Sequence, residues 1–68
     1  MSKKNEVPAW KERVREEYDE LHDRISKLKY FLSQPKPDFV KEEQWMLMKI
    51  QEKAMETYAD ILAARLGV

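Results

Sequence analysis

The apolar positions of this chain fall into two long segments with helical spacing. In the first, apolar residues recur at alternating gaps of four and three, as in a coiled-coil seam: Val14, Tyr18, Leu21, Ile25, Leu28 and Leu32. In the second, steps of about 100° per residue gather apolar side chains over about half of the helix circumference: Leu47, Met48, Ile50, Ala54, Met55, Tyr58, Ala59, Ile61, Leu62 and Leu66. Both patterns predict amphipathic helices, and neither shows the alternation of a strand.

The helix breakers set the expected limits of these segments. They are the three prolines, Pro8, Pro35 and Pro37, and the single glycine, Gly67. The sequence therefore predicts one domain over 1–68: a short N-terminal extension, a helix over about 8–33, a proline turn over 34–38 and a second helix over about 39–66. Asp38 is a plausible N-cap, and the second helix is expected to start between it and Glu42. The expected fold is an all-α antiparallel helical hairpin.

The apolar arc of the second helix is wider than one partner helix can cover. A hairpin would leave much of it exposed as a large apolar patch, which indicates packing of hairpins on one another. A chain of 68 residues buries little surface alone, and it contains no cysteine for a disulfide and only one histidine. We therefore expect a homo-oligomer without disulfides or structural zinc.

Charge and composition exclude several functional classes. Thirteen basic residues balance thirteen acidic residues, so the broad positive field of a DNA- or RNA-binding protein is missing. The first ten residues lack the apolar run of a secretory signal, and no stretch has the length and apolarity of a membrane span. The expectation is a cytosolic protein with neither duplex nucleic acid nor a membrane as partner.

Side chains suited to catalysis are sparse. The only histidine, His22, falls outside the apolar seam of the first helix and reads as an ordinary surface residue. No nucleophile with an adjacent base, no hard-cation ligand set and no glycine-rich phosphate loop is evident. The sequence predicts a protein that is not an enzyme and has no metal or cofactor.

One cation stands among the apolar positions of the second helix. Arg65 projects beside Leu47, Ala54 and Ile61 instead of at the edge of the arc. It could reach water from a frayed last turn, where its charge favours the helix C-terminus, or pair with an acidic residue of a neighbouring subunit. A third reading gathers copies of Arg65 around a symmetry axis, where a bound anion offsets their repulsion. Guanidinium groups bind phosphate with two parallel hydrogen bonds.

The chain also resembles a known family. The segment "EYDELHDRISKLKYFL", the proline turn, "EEQWMLMKIQ" and "YADILAARL" are similar to the small phage anti-CBASS sponge proteins and related phage hairpin proteins. The likeness extends from about Trp10 to Leu66. It implies a helical hairpin assembled as a hexamer, which binds the cyclic oligonucleotide signals of bacterial CBASS immunity without cleaving them, in the cytoplasm of the infected host.

The resemblance also assigns site residues. It implies that Lys27 contacts the phosphate of a cyclic dinucleotide and that Trp10 or Tyr18 stacks on its base. It implies that Arg65 belongs to a separate cyclic-trinucleotide site. Lys29 occupies the place of a small hydroxyl residue of that second site, although a lysine can still contact phosphate.

The leading hypothesis is accordingly a non-enzymatic sponge for cyclic dinucleotides, such as cyclic GMP-AMP, and for cyclic trinucleotides. Its main rival is a small helical assembly or adaptor protein that binds another protein through the apolar arc. A compact regulator that touches nucleic acid ranks third, because the net charge is zero.

Overall fold

Two antiparallel helices form a hairpin in the computed structural model, which describes residues 8–67. Helix α1 spans Ala9–Leu32 and helix α2 spans Glu42–Leu66. The predicted all-α hairpin is confirmed, whereas the N-terminal extension lies outside the described residues. Neither helix of this described part has an apolar stretch long enough to cross a bilayer.

The outer ends of both helices lie where the helix breakers predict them. Pro8 precedes the first residue of α1, and its carbonyl accepts hydrogen bonds from the backbone N–H groups of Lys11 and Glu12. Proline suits this place because the first N–H groups of a helix have no partner within it. At the end of α2, Gly67 has φ of 80°, and its N–H donates to carbonyls of the last turn. A left-handed residue that closes a helix in this way is usually glycine.

The connection between the helices is longer than predicted. Asp38 is not the N-cap of α2, since Lys41 holds that position without a side-chain capping bond. The chain instead makes a further turn, closed by a 3.0 Å hydrogen bond from the Val40 N–H to the Pro37 carbonyl. The Lys36 ammonium donates to the Val40 carbonyl at 2.7 Å and fastens the same turn. The second helix therefore begins at Glu42, at the late end of the predicted range.

The core lies between α1 and the inner half of the apolar arc of α2. Its buried members come from both helices: Val14, Leu21 and Ile25 from α1, and Ala59, Leu62 and Leu66 from α2. Tyr18 and Met55 pack against this cluster and are partly buried. Nearer the connection, the rings of Phe31 and Trp45 meet edge to face with centroids 5.6 Å apart. The predicted seam of α1 is thus confirmed as its inner face.

The remaining half of the arc of α2 faces away from α1. Leu47 is 50% exposed, Ile50 60%, Tyr58 42% and Ile61 52%. Ala54 and Arg65 are exposed on the same side. One partner helix covers only part of the arc, as the pattern predicted, and an apolar surface remains on the single chain.

Candidate functional site

A polar cleft opens along one side of the hairpin, between the two helices. It holds about 390 Å³ and is lined by Tyr18, His22, Ile25, Ser26, Lys29, Glu56, Ala59 and Asp60. The rings of Tyr18 and His22, one helical turn apart on α1, lie with centroids 5.9 Å apart and planes tilted by 34°. The cleft thus combines two flat rings with a cation and two carboxylates.

An ion pair joins the two helices across this cleft. The Lys29 ammonium of α1 lies 2.8 Å from a carboxylate oxygen of Glu56 of α2. The hydrogen bond to Glu56 and its negative charge raise the pKa of Lys29 above its ordinary value of 10.5, and the charge of Glu52 adds to this. Lys53, on the same helix as Glu56, approaches the other carboxylate oxygen at 4.0 Å. Glu56 therefore lies between two lysines, of which Lys29 is much the nearer.

A buried carboxyl group lies one helical turn before Glu56. Glu52 is only 6% exposed, and among the described residues its Oε2 finds no hydrogen-bond donor. Its pKa is raised above the ordinary 4.5, mainly because the protonated carboxyl hydrogen-bonds to Glu56, and also because burial and the Glu56 charge oppose ionisation. Hydrogen bonds from Glu52 and Lys29 in turn lower the pKa of Glu56. As the pH falls, Glu52 therefore takes up its proton before Glu56 does.

These opposite shifts affect stability at different pH values. Glu52, with its raised pKa, stabilises the fold fully below pH 4.5, and this stabilisation is lost as the pH rises through the raised value. Glu56, with its lowered pKa, stabilises the fold above pH 4.5, and this is lost as the pH falls through the lowered value. Both carboxyls carry charge only above the raised pKa of Glu52, where the folded state must accommodate their repulsion.

A second groove continues from the cleft towards the connection. It holds about 290 Å³ and is lined by Lys29, Leu32, Ser33, Lys49, Glu52 and Lys53. The Lys49 ammonium lies 6.0 Å from the centroid of the Trp45 ring, at the limit of a cation–π contact. We call it the lysine groove, because three lysine side chains line it. Lys29 lines both spaces, so the polar cleft and the lysine groove adjoin at this side chain.

The structure places only some of the predicted site residues here. Tyr18 and Lys29 line the polar cleft. Lys27 does not, since nine residues separate it from Tyr18, which places it about 180° around α1. Its ammonium pairs with Asp23 at 3.0 Å, and its side chain is 78% exposed. One chain therefore does not bring Tyr18 and Lys27 together.

The other two predicted residues lie nearer the ends of the helices. Trp10, 46% exposed, is in the first turn of α1 and about 26 Å from Lys27 along the helix axis. Arg65 is in the last turn of α2, on the exposed side. Since Lys29 faces Glu56, and Arg65 lies nine residues beyond Glu56 and about 180° around α2, Lys29 and Arg65 point to different sides of one hairpin. Sites that use either predicted set need more than one chain.

Sequence reasoning missed three residues of this site. His22, interpreted as an ordinary surface residue, is exposed but lines the cleft beside Tyr18. Glu52 and Glu56 received no role, although a signal was present. At helical spacing, Glu52 falls on the face shared by Trp45 and Ala59, both of which are buried. A charge at such an inward position indicates a buried polar cluster.

Comparison with known protein families gives one match. A family model described as Sequestin covers residues 8–67, which include both helices and the connection. The chain belongs to the Sequestin family. This name describes a protein that sequesters a ligand and fits the expected sponge, which binds without turnover. No curated protein and no solved structure matches the chain.

Three lysines and three carboxyl groups line the two adjoining spaces of this Sequestin protein, beside the rings of Tyr18 and His22. Within 8–67, no three His, Cys, Asp or Glu side chains are grouped as a metal site. The lysine groove supplies positive charge, and the adjoining cleft supplies ring faces. Flat rings and phosphates together are the features of a nucleotide.

Proposed function

We propose that this Sequestin protein sequesters cyclic dinucleotides, such as cyclic GMP-AMP, without cleaving them. The observation that carries the proposal is that the cleft, where Tyr18 and His22 offer ring faces, adjoins the groove lined by three lysines. A ring of two nucleotides has two bases to stack and two phosphates to neutralise. Lysine binds phosphate as a point charge, and aromatic rings stack on any base.

The phosphates must compete with Glu56 for Lys29. The Lys29 side chain is 60% exposed, and surface ion pairs of this kind contribute little stability. A phosphate diester can therefore replace Glu56 at Lys29 while Lys49 and Lys53 remain in the same groove.

The proposed site is completed by further copies of the chain. Ligand pockets usually hold about 300–1,000 Å³ and enclose most of the ligand. The cleft of about 390 Å³ and the groove of about 290 Å³ lie at the lower limit of that range, and both are open to solvent on the single chain. Self-association would close them and could add Trp10 and Lys27 from neighbouring subunits. The resemblance to phage sponges favours a hexamer.

The proposal extends to cyclic trinucleotides and to the setting of the activity. By resemblance, Arg65 and Lys29 of different subunits bind a cyclic trinucleotide at a separate site. The biological role would be suppression of CBASS signalling in the cytoplasm of a phage-infected bacterium.

Calorimetric titration of the full chain tests the proposed ligand class. The panel contains cyclic dinucleotides, cyclic trinucleotides, and ADP-ribose as a nucleotide with two phosphates but no phosphodiester ring. We expect heat with at least one cyclic dinucleotide, and mass spectrometry should recover that ligand intact. If the folded protein binds none of the cyclic nucleotides, or binds ADP-ribose alone, the proposed class is wrong. A cleaved product would contradict sequestration.

Lysine variants then locate the binding site. Lys27→Ala and Lys29→Ala should each weaken dinucleotide binding by about tenfold to a hundredfold, as for a lost hydrogen bond to a charged group. Lys41→Ala, an exposed lysine at the start of α2 outside both grooves, is the matched control. Arg65→Ala should weaken trinucleotide binding more than dinucleotide binding. Unchanged affinity in the Lys29 variant would exclude the cleft and groove as the site.

A further inference from the structure

The exposed side of α2 carries residues whose spacing is the same in both directions from its centre. Six side chains share an arc of about 80° on this side: Glu43, Leu47, Ile50, Tyr58, Ile61 and Arg65. Ala54 lies on the same arc at its centre. We call these seven residues the outer face of α2. All seven are exposed on the single chain.

The spacing of the outer face reads the same in both directions from Ala54. Its gaps are four, three and four residues from Glu43 to Ala54, and again four, three and four from Ala54 to Arg65. Leu47 and Ile61 lie equally far from the centre on opposite sides. A helix with this spacing fits against an antiparallel copy of itself, because each residue then meets its counterpart across a two-fold axis at Ala54.

We propose that α2 pairs with α2 of a second copy in this antiparallel register. Leu47 then packs against Ile61 of the other copy, and Ile50 against Tyr58, so all four large apolar side chains of the outer face are covered. The two Ala54 residues face each other at the axis. A small side chain at the crossing point lets two helices approach closely while larger neighbours interlock on either side.

Charge complementarity selects this orientation. Glu43 lies in the first turn of α2 and Arg65 in the last turn. Antiparallel pairing places Arg65 of each copy against Glu43 of the other copy, twice per interface. Parallel pairing would set Arg65 against Arg65 and Glu43 against Glu43. The helix dipole favours an acid in the first turn and a base in the last turn, but it does not explain why both lie on the apolar side.

A charge swap tests the register by sedimentation of the ligand-free full chain. Arg65→Glu and Glu43→Arg should each weaken self-association by about tenfold, because each single variant creates two like-charge contacts. The double variant should restore it to within about threefold of the wild type. If these two charges serve only to complement the helix dipole, the double variant should instead have the weakest self-association of the three. Glu42→Arg, in the same turn but off the outer face, is the matched control and should leave association unchanged.

Cross-linking tests the register independently. Since the chain has no cysteine, Ala54→Cys introduces a single thiol. A short bis-maleimide should join two copies there, whereas the copies of Ala64→Cys should be about 30 Å apart and stay unlinked. Equally efficient linkage of Ala64→Cys would indicate parallel pairing and overturn the proposal. The proposal would also be overturned if the wild type is monomeric at every concentration, or if the double swap variant is folded by circular dichroism but does not associate. The outer face would then bind a different protein.

These measurements need no nucleotide. Their outcome is therefore independent of the proposed sequestration, and a protein that binds no cyclic nucleotide can still pair in this register.

Discussion

Replacing Leu62 by alanine measures how much of the stability comes from the inner face of α2. Leu62 is fully buried, at 0% exposure, in the cluster that joins the two helices. Leucine-to-alanine changes at such sites cost about 3–5 kcal/mol, because they remove apolar contacts and leave a cavity. A domain of 60 ordered residues has about 3–9 kcal/mol of stability. The variant should therefore lose at least a third of its free energy of unfolding.

Thermal unfolding followed by circular dichroism at 222 nm gives the assay. At about 4–8 °C per kcal/mol for a domain of this size, the midpoint of Leu62→Ala should fall by roughly 12–40 °C. The adjacent Ile61→Ala is the matched control, because Ile61 is 52% exposed on the single chain. Its side chain contributes only about 1 kcal/mol within the hairpin.

Protein concentration separates the inner from the outer face. If α2 pairs with a second copy, the loss of thermal midpoint in Ile61→Ala should grow with protein concentration, because the wild type gains stability by association and the variant gains less. The loss of thermal midpoint in Leu62→Ala should persist at high dilution. A midpoint of Leu62→Ala within about 3 °C of the wild type at high dilution would refute the assignment of the core.

Two further variants test local features of the hairpin. Glu52→Gln places a permanent hydrogen-bond donor beside Glu56 without charge, so it should be more stable than the wild type at pH 7.5 in urea unfolding, and the difference should narrow as the pH falls through the raised pKa of Glu52; lower stability at pH 7.5 would contradict that raised pKa. Gly67→Ala should lower the free energy of unfolding by about 1 kcal/mol, since φ of 80° strains a residue with a Cβ atom, and an unchanged thermal midpoint would indicate a frayed last turn.

The hairpin could be predicted because its signals are local. The seam from Val14 to Leu32 has a helical period, and Pro8 and Gly67 close the two outer ends. The prediction of Asp38 as the N-cap was wrong, because an Asp next to a proline also suits a turn. The hydrogen bond between Val40 and Pro37 closes a turn before α2, so the helix starts later in the chain. This turn depends on how the chain folds back on itself. Sequence spacing alone does not encode that choice.

The candidate site was less predictable, because the wide apolar arc of α2 does not reveal which part of it meets α1. The arc of α2 contains two apolar halves, and only docking of α1 buries Leu62 and leaves Ile61 exposed. Lys27 and Lys29 are similarly two residues apart in the same charged stretch. Docking directs Lys29 towards Glu56, while Lys27 pairs with Asp23 on the far side of α1.

Charged side chains occupy both inward and outward positions of α2 where apolar residues are expected. Glu52 faces inward, and its charged neighbours Glu56 and Lys29 belong to the same chain. Arg65 faces outward among exposed apolar residues, and no ion pair to it is found within residues 8–67. A permanent cation on an apolar surface needs an anion once that surface is covered. In the proposed pairing that anion is Glu43 of a second copy, so assembly would give Arg65 the charged neighbour that Glu52 already has within the hairpin.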